Sequence, residues 1–282
     1  MELRRGATVS RARASAKANA AAVIIALCLS AVAPVGYAYA QAYKAPRTAD
    51  GKPDLNGIWE ALNTANWDIQ DHAAKMGPVA ALGAAFSIPP GRGVVEGNEI
   101  PYLPEAAAKK KENAEKWLTS DPEVKCYLPG VPRAMYMPYP FQIVQTPLHI
   151  LISYEFAGAN RTIYMDRKLK SPNDTWMGWS TGHWEGDTLV VDVASFNDQT
   201  WFDRAGNFHS DALHVIERYT RVSPDALDYE ATIEDPKVFS RPWKMRMPLY
   251  RRREKDAQLL EYTCVEFAEE LLYGPLRKQP SK

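Results

Sequence analysis

The second half of the chain alternates between apolar and polar side chains over short runs. In Asp228–Ile233, which reads DYEATI, every second residue is aromatic or aliphatic and the residues between them are polar. Because successive side chains of a β-strand point to opposite faces of a sheet, this period is typical of an antiparallel sheet with one buried face. No other feature constrains the fold class as strongly, and it predicts an all-β protein.

Runs of this kind follow one another along the chain, with turn residues between them. Gly57-Ile58-Trp59 opens the first, and Glu185-Gly186-Asp187 is a strong hairpin signal between two later ones. The later predicted strands are 141–145, 148–156, 161–165, 176–184, 188–196, 213–222, 227–233, 243–251 and 259–267. Nine or ten strands joined by short turns favour a closed antiparallel barrel over a two-sheet sandwich, and such a barrel has room for one small ligand.

Three segments between the first strand and Phe141 have a different character. Residues 73–104 are irregular and predict a long N-terminal loop or lid. Pro104–Leu118, which reads PEAAAKKKENAEKWL, is the one predicted helix, and we expect its lysines to form a solvated face. Residues 126–140 are rich in proline and cannot form a central strand, so they either line a pocket or plug one end of the barrel.

The first forty residues have the pattern of a signal peptide. A basic region is followed by a short apolar run, Ala20–Val32, and by Ala38-Tyr39-Ala40, which suits cleavage. We expect residues 1–40 to be removed, 41–56 to be a linker, 57–270 to form a single barrel domain and 271–282 to be a tail. The apolar run is too short to favour a spanning helix, so we expect a periplasmic or secreted protein with no stable membrane span after processing.

Charge argues against nucleic acid as a partner. The whole chain has 34 basic and 34 acidic residues, and residues 1–40 carry five of the basic and one of the acidic. Their removal shifts the formal net charge from 0 to −4, and a mildly acidic chain without a long basic run is not typical of nucleic-acid binding.

Two cysteines remain after processing, Cys126 and Cys264. In an exported chain, two thiols predict one disulfide, which here would join the entry of the barrel to its last strand. Two buried free thiols are the alternative.

The loop Asn197–Ser210 carries the best candidates for chemistry. It joins two predicted strands and contains Asp203 and His209, with Gly206-Asn207 as its turn. A carboxylate that orients an imidazole is a common proton-transfer pair, and loops held on a rigid scaffold often carry such groups. Alternatively, Asp203 caps the turn and His209 bonds to the loop backbone.

The strand that follows this loop contains His214 and Glu217. Because they are three residues apart, they lie on opposite faces of a regular strand, and only one of them can point into the barrel. Either is a candidate second proton carrier. An inward Glu217 would need a partner, so a buried structural ion pair is the alternative to a catalytic role.

Aromatic side chains are the candidate ligand contacts. Trp201, Trp184, Tyr154 and Tyr219 suit a small hydrophobic or aromatic molecule, with Arg218 as a polar contact, although such residues also pack barrel interiors. The histidine spacings are not those of zinc sites, and no nucleophile motif, phosphate loop or dinucleotide fingerprint is present. We therefore predict no metal and no cofactor.

Several motifs together resemble a family of uncharacterised secreted bacterial proteins. They are Trp184–Val191 (WEGDTLVV), Trp201-Phe202-Asp203, His209-Ser210 and Glu217-Arg218, and the similarity extends over roughly residues 45–268. The resemblance implies export and a β-rich, lipocalin-like (calycin-type) barrel, and it implies no particular reaction.

Two functions fit these features. The first is a cofactor-independent acid–base enzyme, of the lyase, isomerase, cyclase or hydratase kind, acting on a small cyclic or aromatic compound in the barrel cavity. The second is a non-catalytic, lipocalin-like small-molecule-binding protein.

Overall fold

A closed β-barrel forms the body of the protein. The computed structural model describes residues 43–166 and 170–277, and the predicted signal peptide lies outside them. Nine strands follow one another around the barrel in chain order, and β1 pairs with β9 to close it. The strands are β1 (Gly57–Glu60), β2 (Phe141–Gln145), β3 (His149–Tyr154), β4 (Asn160–Met165), β5 (Trp179–Glu185), β6 (Thr188–Ala194), β7 (His214–Ser223), β8 (Ala226–Glu234) and β9 (Trp243–Arg251).

The predicted barrel is confirmed, with two corrections to its strands. β4 and β5 pair in parallel, so the sheet is mostly rather than entirely antiparallel. Residues 259–267 were predicted as the last strand because they alternate, but they have no strand structure. Pairing of Trp59 with Arg251 and of Glu60 with Tyr250 closes the sheet, which leaves no edge for a further strand.

The inward face of the barrel follows the alternation of the sequence. On β8, for example, Leu227, Tyr229, Ala231 and Ile233 are fully buried, whereas the residues between them are partly exposed. Trp59 is also fully buried, and its indole Nε1 donates a hydrogen bond to the Leu55 carbonyl at 3.0 Å.

The proline-rich segment plugs the barrel. Residues 131–137 are all buried, and the Met135 sulfur lies 3.3 Å from the Tyr154 hydroxyl and 3.5 Å from the Tyr219 hydroxyl, both on strands. Of the two roles predicted for this segment, the structure therefore supports the plug.

In the described part of the chain, three α-helices lie outside the barrel: α1 (Pro104–Glu115), α2 (Trp117–Ser120) and α3 (Ala268–Arg277). α1 corresponds to the predicted helix and has Pro104 in its first turn, where proline is well tolerated. α3 was not predicted and crosses the expected boundary between barrel and tail. None of the helices in the described part of the chain is long and apolar enough to span a bilayer.

The N-terminal segments are held against the barrel by specific contacts. Leu55, in the predicted linker, is fully buried, and its N–H donates to the Gln145 side chain at 2.9 Å. The long loop folds back on itself, because His72 pairs with Gly91 and Lys75 with Ile88 through backbone bridges.

Cys126 and Cys264 form the predicted disulfide, with a Cα–Cα distance of 5.7 Å. Cys264 lies after β9 rather than in a last strand, so the bond attaches the extended C-terminal segment to the segment that precedes the plug. A disulfide fits folding in an oxidising compartment.

Candidate functional site

Glu217 points into the barrel and forms a buried polar cluster. Its carboxylate is paired with both terminal nitrogens of Arg161 and accepts hydrogen bonds from the hydroxyls of Tyr219 at 2.8 Å and Tyr229 at 2.9 Å. Arg161 Nε also donates to Ser180 Oγ at 2.8 Å. All of these side chains are buried, so the cluster fills this part of the barrel interior, and the structural ion pair expected as an alternative is what the structure contains.

Burial changes the titration of the groups around Glu217. Desolvation, followed by the negative charge of Glu217, raises the pKa of Tyr219 and Tyr229 well above 10. Burial also raises the pKa of Tyr154 to about 12. The three phenols therefore stay neutral at physiological pH and act as hydrogen-bond donors rather than as acids.

His214 lies on the outer surface of the barrel, as the spacing to Glu217 requires. Its Nε2 is 2.9 Å from Asp192 and its Nδ1 is 3.1 Å from Glu234. Burial acts to lower the pKa of His214, but hydrogen bonds to these two carboxylates outweigh it and the pKa is raised. The structure thus separates His214 from Glu217, and the alternative that places His214 inward is wrong.

The loop Asn197–Ser210 packs onto α1 and onto the segment that follows β1. Gly206 has a positive φ of 84°, and a Cβ there would lie 2.5 Å from both the Lys110 carbonyl and the Ala114 nitrogen, so only glycine allows this approach. The backbone N–H of Arg204 donates to the Asn66 carbonyl at 3.0 Å. The loop is therefore fixed on two sides.

Asp203 belongs to this loop, and its side chain is fully buried. Its carboxylate accepts hydrogen bonds from the N–H of Ile69 at 2.9 Å and from the backbone and side chain of Asn207 at 3.1 and 2.6 Å. Burial, together with the nearby charge of Asp68, raises the pKa of Asp203 to about 7. Asp203 thus caps the turn and ties the loop to Ile69.

His209 does not use Asp203 as a partner. Its Nδ1 lies 2.8 Å from the Ser210 carbonyl, which can only accept, so Nδ1 carries the hydrogen. Its Nε2 is 2.5 Å from Thr200 Oγ1. Burial lowers the pKa of His209, so the ring is neutral at pH 7 and Nε2 accepts from the Thr200 hydroxyl. The proposed Asp203–His209 pair is therefore replaced by the alternative arrangement, in which Asp203 caps the turn and His209 bonds to the loop backbone.

Two surface pockets lie on opposite sides of α1. The first, which we name the Trp201 pocket, has a volume of about 390 Å³. It is lined by Lys109, Glu112, Asn113, Lys116, Ser120, Asp198, Trp201, Phe208, His209 and Ser210. It therefore contains two of the residues predicted from the sequence, Trp201 and His209.

The second, which we name the Trp67 pocket, has a volume of about 440 Å³. It is lined by Trp67, Asp68, His72, Lys75, Ile88, Ala107, Lys110, Lys111, Ala114, Trp117, Arg204 and Ala205. Both pockets are lined by residues of loops, α1 and α2, outside the strands, whereas the sequence predicted a site inside the barrel. Both volumes fall within the range of small-molecule sites.

Neither a scan of protein-family models nor a search of curated proteins gives a match to this chain. The choice between the pockets therefore depends on their geometry.

Arg204 organises the wall of the Trp67 pocket. Its guanidinium lies 4.5 Å from the centre of the Trp67 ring and 4.8 Å from that of Trp117, and the two indoles meet edge to face at 5.7 Å. The same guanidinium is paired with Glu123 at 2.7 Å and with Glu269 at 3.1 Å. Cation–π contacts and ion pairs together hold the two indoles in fixed positions.

His72 lines this pocket, and one of its polar atoms has no partner in the described part of the chain. Its Nδ1 lies 2.9 Å from the Gln70 carbonyl, so Nδ1 carries a hydrogen. Its Nε2 is buried and has no hydrogen-bond partner among the described residues, and the same holds for Thr64 Oγ1. Unpaired buried polar atoms are costly, and they are common where a ligand or water completes the arrangement.

The remaining residues predicted to bind a ligand lie elsewhere. Tyr154 and Tyr219 belong to the packed barrel interior, and Trp184 packs against the core from β5. Arg218 lies on the outer surface and pairs with Glu185 at 2.9 Å. No group of three or more potential metal-binding side chains occurs within residues 43–166 and 170–277.

Sequence reasoning missed Trp67, Asp68 and the lysines that face this pocket. The helix lysines had been assigned to a solvated face, but Lys110 donates to the Gln70 side chain at 3.2 Å across the pocket rim. The available signal was the polar and aromatic composition of residues 63–72, NTANWDIQDH, which follow β1 without strand periodicity.

Proposed function

We propose that this protein binds a small cyclic or aromatic compound in the Trp67 pocket and transfers a proton to or from it. The observation that carries the proposal is that two indoles, the Asp68 carboxylate and His72 line one pocket, and that His72 Nε2 has no partner among the described residues. Aromatic walls with a few converging titratable groups are typical of small-molecule enzyme sites.

Asp68 and His72 are the two groups placed to exchange protons with the ligand. His72 Nδ1 donates to a backbone carbonyl, which fixes the ring and leaves Nε2 as the reactive nitrogen. Asp68 is partly exposed at the pocket, whereas Asp203 behind it is fully buried with a pKa raised to about 7. Two carboxyl groups in such different environments are a common arrangement in acid–base sites. Asp203 would act as a positioning residue, through its bond to Ile69.

The reaction belongs to the class in which a proton moves without a covalent nucleophile. Abstraction of a proton from carbon beside a carbonyl is the simplest case, and a positioned acid or base contributes roughly 10²- to 10⁴-fold to such a step. Lyases, isomerases, cyclases and hydratases all use proton transfer by a positioned acid or base.

Deuterium exchange tests the proton transfer without knowledge of the natural substrate. The probe is 2-tetralone, a bicyclic aromatic ketone with exchangeable α-hydrogens, in D2O with NMR detection. We expect the protein to accelerate exchange and Asp68→Asn or His72→Gln to remove at least about 100-fold of that acceleration. His214→Gln, which alters a histidine on the outer surface, is the matched control and leaves the rate unchanged.

Two outcomes would overturn this assignment. Loss of exchange in His209→Gln but not in Asp68→Asn would move the chemistry to the Trp201 pocket. Absence of any acceleration, with folding verified by thermal melts, would leave the binding-only alternative. A specific observation favours that alternative: of the four residues predicted for catalysis, only His209 lines either pocket, and both of its ring nitrogens are occupied.

We also propose that the protein works in the periplasm or outside the cell. The disulfide and the signal-like pattern of residues 1–40 support this location. Terminal sequencing of the mature protein tests it: a start at Gln41 in the exported fraction is expected, and a retained Met1 in the cytoplasmic fraction would contradict it.

A further inference from the structure

We infer that the natural ligand of the Trp67 pocket is an aromatic or cyclic carboxylate. This inference rests on the proposed function and specifies its substrate class. It follows from the charges at the pocket and the shape of its walls.

The charge balance of the pocket favours an anion. Lys75, Lys110 and Lys111 contribute three ammonium groups, and Asp68 is the one carboxylate in the lining. The Arg204 charge is already neutralised by Glu123 and Glu269, so Arg204 holds the two indoles in place and does not attract an anionic ligand. The lysines therefore leave an excess of positive charge for a ligand carboxylate to neutralise.

The walls favour a flat ring. Trp67 and Trp117 are held nearly perpendicular, at 81°, and Trp117 is itself buried. A ring placed against one indole face meets the edge of the other, which is the arrangement that aromatic groups prefer. Because Arg204 fixes both indoles, little side-chain entropy is lost when a ring binds.

Matched probes test the anion preference. We compare naphthalene-2-carboxylate with naphthalene-2-carboxamide, which has the same shape but no charge, and follow the indole N–H signals of Trp67 and Trp117 by NMR. The carboxylate is expected to bind at least roughly tenfold more tightly, with an affinity that falls as salt increases. The signals are assigned with Trp67→Phe and Trp117→Phe.

Two double variants of α1 locate the charges responsible. Lys110→Ala/Lys111→Ala is expected to reduce the carboxylate affinity about tenfold and to leave the carboxamide affinity unchanged. Lys109→Ala/Lys116→Ala removes the same charge from the other side of the helix and is expected to change neither. Equal losses in both double variants would show a non-local charge effect and overturn the inference.

The outcomes separate this inference from the function on which it rests. Equal binding of carboxylate and carboxamide would overturn the anion preference and leave ligand binding intact. Failure of both probes to shift either indole signal would overturn the proposed function itself.

Discussion

Arg161 on β4 and Glu217 on β7 form an ion pair across the interior of the barrel, although two strands separate β4 from β7 in the sheet. Both side chains are almost completely buried, and Nη1 lies 3.2 Å from Oε1. Two tyrosine hydroxyls and Ser180 satisfy further polar atoms of the pair. Such a network tolerates the loss of one charge poorly, because the other charge stays buried without a partner.

We therefore predict that Glu217→Gln lowers the free energy of unfolding by about 3–5 kcal/mol. The substitution keeps the volume and removes only the charge opposite Arg161. Urea denaturation measures the change, and Glu185→Gln is the matched control, because it breaks the exposed pair with Arg218 and is expected to have no measurable effect. Equal stability of Glu217→Gln and the wild type would show that Arg161 finds another partner.

The pKa of Asp203 should depend on Asp68. Burial is the main cause of its rise to about 7, and the Asp68 charge is the next. Asp68→Asn is therefore expected to lower the pKa of Asp203, whereas Asp192→Asn, on the outer surface, leaves it unchanged. Side-chain carboxyl NMR follows the titration, with Asp203→Asn to assign the signal. A wild-type pKa near the ordinary 3.8 would contradict the burial argument.

The raised pKa of Asp203 also has a consequence for stability. A group that holds its proton more tightly when folded contributes stability below its unfolded pKa and loses that contribution as pH rises through its folded pKa. Stability should thus decline as pH increases through about 7, and Asp203→Asn should flatten this decline in urea titrations at several pH values. An unchanged slope in Asp203→Asn would exclude Asp203 as its source.

His214 should contribute a smaller pH dependence of the same sign. Its pKa is raised, because the hydrogen bonds to Asp192 and Glu234 outweigh its partial burial. The stabilisation is complete below about 6.5, the ordinary pKa of histidine, and disappears as pH rises through the higher folded pKa. Since all three groups are partly exposed, we expect less than about 1 kcal/mol. The difference in unfolding free energy between wild type and His214→Gln should be larger at pH 5.5 than at pH 8.5, and a difference independent of pH would contradict the prediction.

The sequence predicted the barrel because its signals are local. Alternation and turn residues are properties of neighbouring positions, so the β7–β8 hairpin and the opposite faces of His214 and Glu217 could be read directly. The strand predicted at 259–267 is wrong, because a local pattern contains no information on whether the sheet has a free edge to which a further strand could pair. Closure by β1 and β9 is a long-range event that the local pattern does not contain.

The Trp67 pocket could not be predicted for a similar reason. It joins residues near 67–75, the helix α1 and Arg204, which are far apart in sequence and have no shared periodicity. The sequence did draw attention to the loop Asn197–Ser210, because it combines titratable and aromatic residues between two strands, and Arg204 of this loop lines the pocket. It could not show that Asp203 reaches Ile69 rather than His209.

The disulfide offers the final prediction, which links stability to the pocket. Cys126 and Cys264 are separated by 138 positions, and closing so long a loop restricts the unfolded chain strongly. We expect Cys126→Ser/Cys264→Ser to lose about 2–5 kcal/mol in unfolding free energy, measured with urea. The wild type in reducing agent should show the same loss, and the double variant should not respond to reducing agent.

The loss should extend to the wall of the Trp67 pocket. Cys264 anchors the segment that leads into α3, and Glu269 of α3 pairs with Arg204 at 3.1 Å, so release of the segment weakens this pair. The indole signals of Trp67 and Trp117 should then shift or broaden in the double variant, because Arg204 contacts both rings. Glu269→Gln, which removes the pair but keeps the disulfide, should reproduce the signal change with only a small loss of stability. If the double variant loses stability while both indole signals stay unchanged, the disulfide acts on the unfolded chain alone and does not support the pocket.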